Sequence, residues 1–211
     1  MSTESTTTVQ ESGFTPPVRL VELLFAVVLG ASLIQFHELI FPPKLANPSF
    51  WAMFTAYLTA FLSWYGWHEA ISAFPYRPLP ISKLRSGIEA LVVISYAYLL
   101  FAASRADISL LGYLWGYVWM FGLTTVGLFV RRREWGRPEA SYQPIHLTVK
   151  HGLPIVVASI AYSIWELSST PVPTTAIWVF VFVPLVVTLS YRWFLGQLGW
   201  RRPPVSTKAK E

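Results

Sequence analysis

The sequence predicts an all-α, polytopic integral membrane protein of six transmembrane helices, with both termini cytoplasmic. Six long apolar stretches carry most of the chain: Leu20–Phe41, Phe50–Phe74, Ile88–Ala103, Ile108–Val130, Gly152–Leu167 and Thr174–Leu195. Most approach the roughly 20 residues that a helix needs to cross about 30 Å of hydrocarbon. With no water at that depth, each stretch must satisfy its own backbone hydrogen bonds, which makes it a helix. With the N-terminus inside, 14 of the 16 Lys and Arg residues fall on the cytoplasmic side, and only Lys44 and Arg105 fall outside. Inward-facing loops carry that bias. Composition agrees, because 54% hydrophobic and 13% charged residues leave no room for a sizeable soluble domain. The loop bias also accounts for the net charge of +5. It calls for membrane lipids with anionic headgroups as partners, and for no nucleic acid.

Residues 1–17 are polar and rich in Thr and Ser, and read as a disordered cytoplasmic tail. They lack the basic n-region of a signal peptide, so the first helix is expected to stay as an anchor. The membrane domain runs over 18–199, and 200–211 is a basic cytoplasmic tail. In helix one, Arg19 and Glu22 lie within a turn of each other. They suit an interfacial pair or, for Glu22, a pore mouth. Helical steps from Glu22 pass Ala26, Gly30, Leu33 and His37, a face of small residues between polar ends.

Helix two carries Thr55, Thr59 and Ser63 at i, i+4 and i+8. Such a line of hydroxyls is interhelical hydrogen-bonding glue or, on the minority reading, the wall of a hydrated conduit. Trp64 and Trp67 then end the helix in the expected aromatic belt, next to His68. Helices three and five have short apolar cores and are expected to borrow flanking polar residues or to tilt. Glu89 lies one turn inside helix three near Arg85, placed for pairing or snorkelling. Gly112 and Gly116 give helix four a close-packing seam. The segment from Arg131 to Lys150, which contains Gly136, Pro138 and Pro144, reads as a loop. In helix five, Ser159, Tyr162 and Ser163 lead to Glu166, a carboxylate with no basic residue nearby in sequence. It reads as an interfacial cap or as an entry for an ion or proton. Pro154 near the start of helix five and Pro184 in helix six are expected to kink or loosen their helices.

No enzyme signature is present: no Walker loop, dinucleotide glycine pattern, HExxH or Gly-x-Ser-x-Gly elbow. The chain has no cysteine, which excludes disulfides and thiolate metal sites, and Asp107 is its only aspartate. A haem held by His68 and either His146 or His151 is possible by position. All three lie at helix ends beside charged loops, where solvated or interfacial histidine is commoner, so no cofactor is expected.

Helix one reads Arg19-Leu-Val-Glu-Leu23-Leu24-Phe25, and helix two reads YLTAFLSWYGWHEAI from Tyr57. These segments resemble the bacterial relatives of the lysosomal potassium channel, whose first helix begins Arg-x-x-x-Phe-Ser-Asp. Their second helix ends in aromatic and His-rich sequence, where His68 is the matching residue. The resemblance covers about half of the chain and implies a homotetrameric cation channel with its pore walled by helix one. Arg19 matches, but Leu23-Leu24-Phe25 replaces the Phe-Ser-Asp triplet, so the polar cluster of that family is missing here. Glu22-Leu-Leu-Phe-Ala26 is also similar to the Glu-Leu-Phe-Phe-Asp helix of the low-temperature-requirement A family, again without the acid.

The function expected from these residues is that of a homo-oligomer conducting or transporting a small, potassium-like cation in the cell membrane. Leu23, Val27, Gly30 and Ile34 form the apolar pore ring, and Glu22 gathers cations at the cytoplasmic mouth. The alternative is a non-conducting anchor, assembly subunit or signalling effector. It docks a cytoplasmic partner or lipid headgroup through Arg131, Arg132, Arg133 and Arg137.

Overall fold

The computed structural model describes residues 16–106, 109–136, 138–168 and 172–198, with side chains described except at 16, 138–144 and 196–198. These residues form six helices: α1 (Pro16–Ile40), α2 (Pro48–Ala73), α3 (Pro80–Ala103), α4 (Leu111–Trp135), α5 (Pro138–Leu167) and α6 (Thr174–Leu198). Five of them, all but α2, are long and apolar enough to cross a membrane. Local sequence sets several of the boundaries. Asn47 caps α2 by accepting the Ser49 N–H at 2.8 Å, with Pro48 in the first turn. Leu79 is extended ahead of Pro80, which opens α3. Gly136 ends α4 at φ +60°, and its N–H reaches the Arg132 carbonyl, a left-handed cap that favours glycine.

Two expectations about extent change. Helices α3 and α5 do continue well ahead of their apolar cores. For α5 this replaces most of the loop expected over 131–150: α4 runs to Trp135 and α5 starts at Pro138. Pro138 suits a first-turn position, where no N–H is needed. Pro154 therefore lies deep inside α5 and not near its start. Arg137, Asp107, Trp200 and the two tail segments, apart from Pro16 and Pro17, lie outside the described residues.

Helices α2, α3, α4, α5 and α6 follow one another around a ring, which α6 closes against α2. Helix α1 sits outside it, on α2 and α3, and touches the ring through Val21 and Phe25. Phe25 stacks on Tyr96 and meets Trp67. Gly112 and Gly116 face α3, as a seam requires. A Cβ on Gly116 would come within 3.1 Å of Leu99 Cδ1, and one on Gly112 within 3.3 Å of the Tyr98 hydroxyl. The core is aromatic and aliphatic, with Tyr96, Tyr113, Tyr117, Met53, Leu99 and Leu100 fully buried.

Candidate functional site

The largest polar assembly lies where α2 ends, α3 begins and α4 ends. Arg85 is fully buried in α3. Its Nε donates to Glu89 Oε1 at 2.9 Å, one helical turn on, and its Nη1 donates to Glu134 Oε2 at 2.8 Å and to the Phe74 carbonyl at 2.9 Å. The same guanidinium lies over the Tyr76 ring, 4.6 Å from its centroid. Glu89 also receives Arg131 Nη2 at 3.1 Å, Trp67 Nε1 at 2.8 Å and the Tyr76 hydroxyl. Glu134 Oε1 receives Ser82 Oγ at 2.6 Å and the Arg77 N–H at 2.9 Å. Arg77 in turn covers the Trp135 ring.

Each carboxylate is therefore paired with a cation and fully engaged, as buried charges must be. Tyr76, in the α2–α3 connection, has its phenol pKa pushed up, first by burial and then by the neighbouring Glu89 carboxylate to which it donates. It is held as a neutral donor. The cluster is a lock and not an open cation site, and among the described residues no group of His, Asp and Glu is placed to hold a metal ion.

Beside the lock, α2, α3, α4 and α6 enclose a cavity of about 120 Å³, with Phe25 of α1 on its wall. Glu89, Arg131 and Arg192 line one end, and Thr59, Thr188 and Tyr96 also contribute to its surface. Beyond it runs an uncharged hydroxyl ladder. Thr59 Oγ1 lies 2.9 Å from the Tyr117 hydroxyl and 3.2 Å from Thr188 Oγ1, and also donates to the Thr55 carbonyl at 2.7 Å. The Thr55 and Tyr113 side chains, and those of Ser63 and Tyr96, lie close to one another alongside it. The line of hydroxyls on helix two thus points into the ring, toward α3, α4 and α6.

Several residues sit elsewhere than the sequence suggested. Arg131, expected on a docking loop, is in the last turns of α4, largely buried and paired with Glu89. Helix α4 continues past Val130, and that continuation turns Arg131 inward. Arg85 and Arg192, counted among the cytoplasmic basic residues, face the interior from their helices. Trp67, assigned to the aromatic belt, is buried as a donor to Glu89. Glu166 is not an unpartnered carboxylate, because Ser109 Oγ donates to it at 2.9 Å. The stripe below it stitches α5 to its neighbours: the Tyr162 hydroxyl accepts the Leu110 N–H, and Ser163 accepts Trp115 Nε1.

Leu23, Val27 and Ile34 lie on the outward face of α1 at 61%, 55% and 80% exposure, with open space around Gly30. Glu22 lies 3.7 Å from His68, which packs edge-on against Trp64 and Trp67. Arg19 is exposed in the first turns of α1, Arg133 is exposed and Arg132 partly so. Glu134, Tyr76 and Ser82 were missed. The one available signal was an acid, Glu134, ending a run of three arginines, three residues after Arg131.

No family model, curated protein or solved structure matches this chain. Its class rests on its own geometry: a multi-pass α-helical membrane protein with a charged lock and an interior cavity.

Proposed function

We propose that the protein spans the cell membrane six times, with both termini cytoplasmic, and assembles as a homo-oligomer that passes a small cation between its copies along α1. The placement of α1 carries this reading. It lies outside the ring, and Leu23, Val27 and Ile34 form an apolar outer face with Gly30 open among them. A subunit contact or pore wall has that character, and Glu22 stands on the same helix near its entrance. The ring interior is a poor cation path, because fully buried Tyr113, Tyr117, Leu114 and Met53 fill it and two arginines line its cavity. Helix α2 counts as the sixth span. Its 26 residues reach about 39 Å at 1.5 Å per residue, and it is packed between helices that are apolar enough to span. The positive-inside bias sets the orientation.

The test is cation flux into liposomes holding purified protein, with potassium, sodium and proton gradients applied separately. Selective flux in the parent that Gly30→Trp abolishes is the expected result. Flux unchanged by Gly30→Trp would remove α1 from the path. The second reading, a non-conducting effector, is favoured by one observation: Arg132 and Arg133 remain at the surface end of α4 while Arg131 turns inward. Absence of flux from folded, oligomeric protein would make that reading the leading one.

A further inference from the structure

Arg192 stands apart from the other interior cations. Arg85 has two carboxylates and Arg131 has one, whereas Arg192 makes no hydrogen bond and no ion pair among the described residues. The exposed Glu69 carboxylate lies in its field without pairing with it. Its guanidinium lies over the backbone of α2 at Gly66, in the space that a Cβ there would occupy. Side-chain hydroxyls of Ser63, Thr124 and Thr188 share the wall of the same cavity. Phe25, Val93 and Phe121 give the cavity apolar surface. Glu89, the one carboxylate on the wall, is already taken by Arg85, Arg131, Trp67 and Tyr76. The Thr124 and Thr188 hydroxyls are already engaged by the Met120 carbonyl and by Thr59, so what the wall offers is one guanidinium, that of Arg192, with no anion to receive it.

We infer that this cavity binds a small organic monoanion, its oxyanion head on Arg192 and its apolar body between α2, α3 and α4. Size limits the body. A dry cavity of about 150 Å³ takes benzene, so about 120 Å³ limits the body to at most one small ring or a short chain, with the head at Arg192. Arg192 is itself partly exposed, which puts the charged end of the cavity at the protein surface. A guanidinium presents a planar fork that fits a carboxylate, and a charged partner is worth most where water is scarce. The site is independent of conduction along α1, since none of the exposed α1 residues line it.

Benzoate is the probe, titrated calorimetrically into the full chain in nanodiscs of zwitterionic lipid, with benzyl alcohol as its neutral counterpart and chloride as a bare anion. Saturable benzoate binding is expected, with much weaker binding of benzyl alcohol and no displacement by equimolar chloride. Arg192→Gln should weaken benzoate by about tenfold or more, the usual worth of a charge-assisted hydrogen bond, and Arg192→Lys should recover part of the loss. Gly66→Ala keeps the charge but displaces the guanidinium, so it should weaken benzoate as well. Unchanged affinity in both Arg192→Gln and Gly66→Ala would overturn the site. Equal binding of benzoate and benzyl alcohol, or full competition by chloride, would overturn the ligand class. If nanodiscs of anionic lipid block benzoate while zwitterionic ones do not, an anionic headgroup occupies the site and the free organic acid is excluded as its native occupant.

Discussion

The Arg85 cluster and the Thr59 ladder are both buried, both hydrogen-bonded and both shared among three helices, α2, α3 and α4 in one case and α2, α4 and α6 in the other. They differ in what a lost partner leaves behind. In the cluster Arg85, Arg131, Glu89 and Glu134 are charged, so deleting one of them strands an ion in a place that cannot solvate it. In the ladder the groups are uncharged, and Thr55 and Thr59 have a fallback, since they also bond carbonyls of their own helix. The cluster is therefore brittle and fixes geometry where the α2–α3 connection meets α4. The ladder tolerates change and joins α2 to α4 and α6.

Unfolding in mild detergent, followed by denaturant titration, measures that contrast. Arg85→Met should have the largest effect, a loss of about 3–5 kcal/mol, because Glu89 and Glu134 lose their shared cation. A loss below about 1 kcal/mol would mean that both carboxylates reach water, and the contrast would collapse. Glu134→Gln keeps the shape and removes the charge, and should cost about 1–3 kcal/mol. Thr59→Val should cost least, about 0.6 kcal/mol, the average for interhelical hydrogen bonds in membranes. A cost for Thr59→Val equal to that of Arg85→Met would make the ladder as brittle as the cluster.

What the sequence disclosed follows the same division. The ladder was legible because Thr55, Thr59 and Ser63 repeat at helical spacing in an otherwise apolar run, and only one face of a helix carries such a repeat. The Arg85–Glu89 pair was legible for the same reason. The rest of the cluster was not. Arginine near the end of an apolar stretch has one appearance whether it snorkels to headgroups or turns inward, so Arg85, Arg131 and Arg192 were all counted only as cytoplasmic charges. What turned Arg131 inward was Glu89, 42 residues away, a pairing with no local trace. The first part of α5 was illegible as helix because Gly136, Pro138 and Pro144 read as loop punctuation, although a proline in the first turn of a helix costs it no hydrogen bond. Glu166 looked unpartnered because its donor, Ser109, lies 57 residues earlier in the chain.

The closed ring also carries a history of its own making. The members of the Arg85 cluster lie between Trp67 and Glu134, so its last member is synthesised before α5 begins. The contact between Thr59 and Thr188 spans 129 residues and must wait for α6. Chains fold more slowly where contacts are distant in sequence. Every residue of the charged end is thus available before α6 is made, and until then the α2 side of the uncharged seam lacks its partner helix.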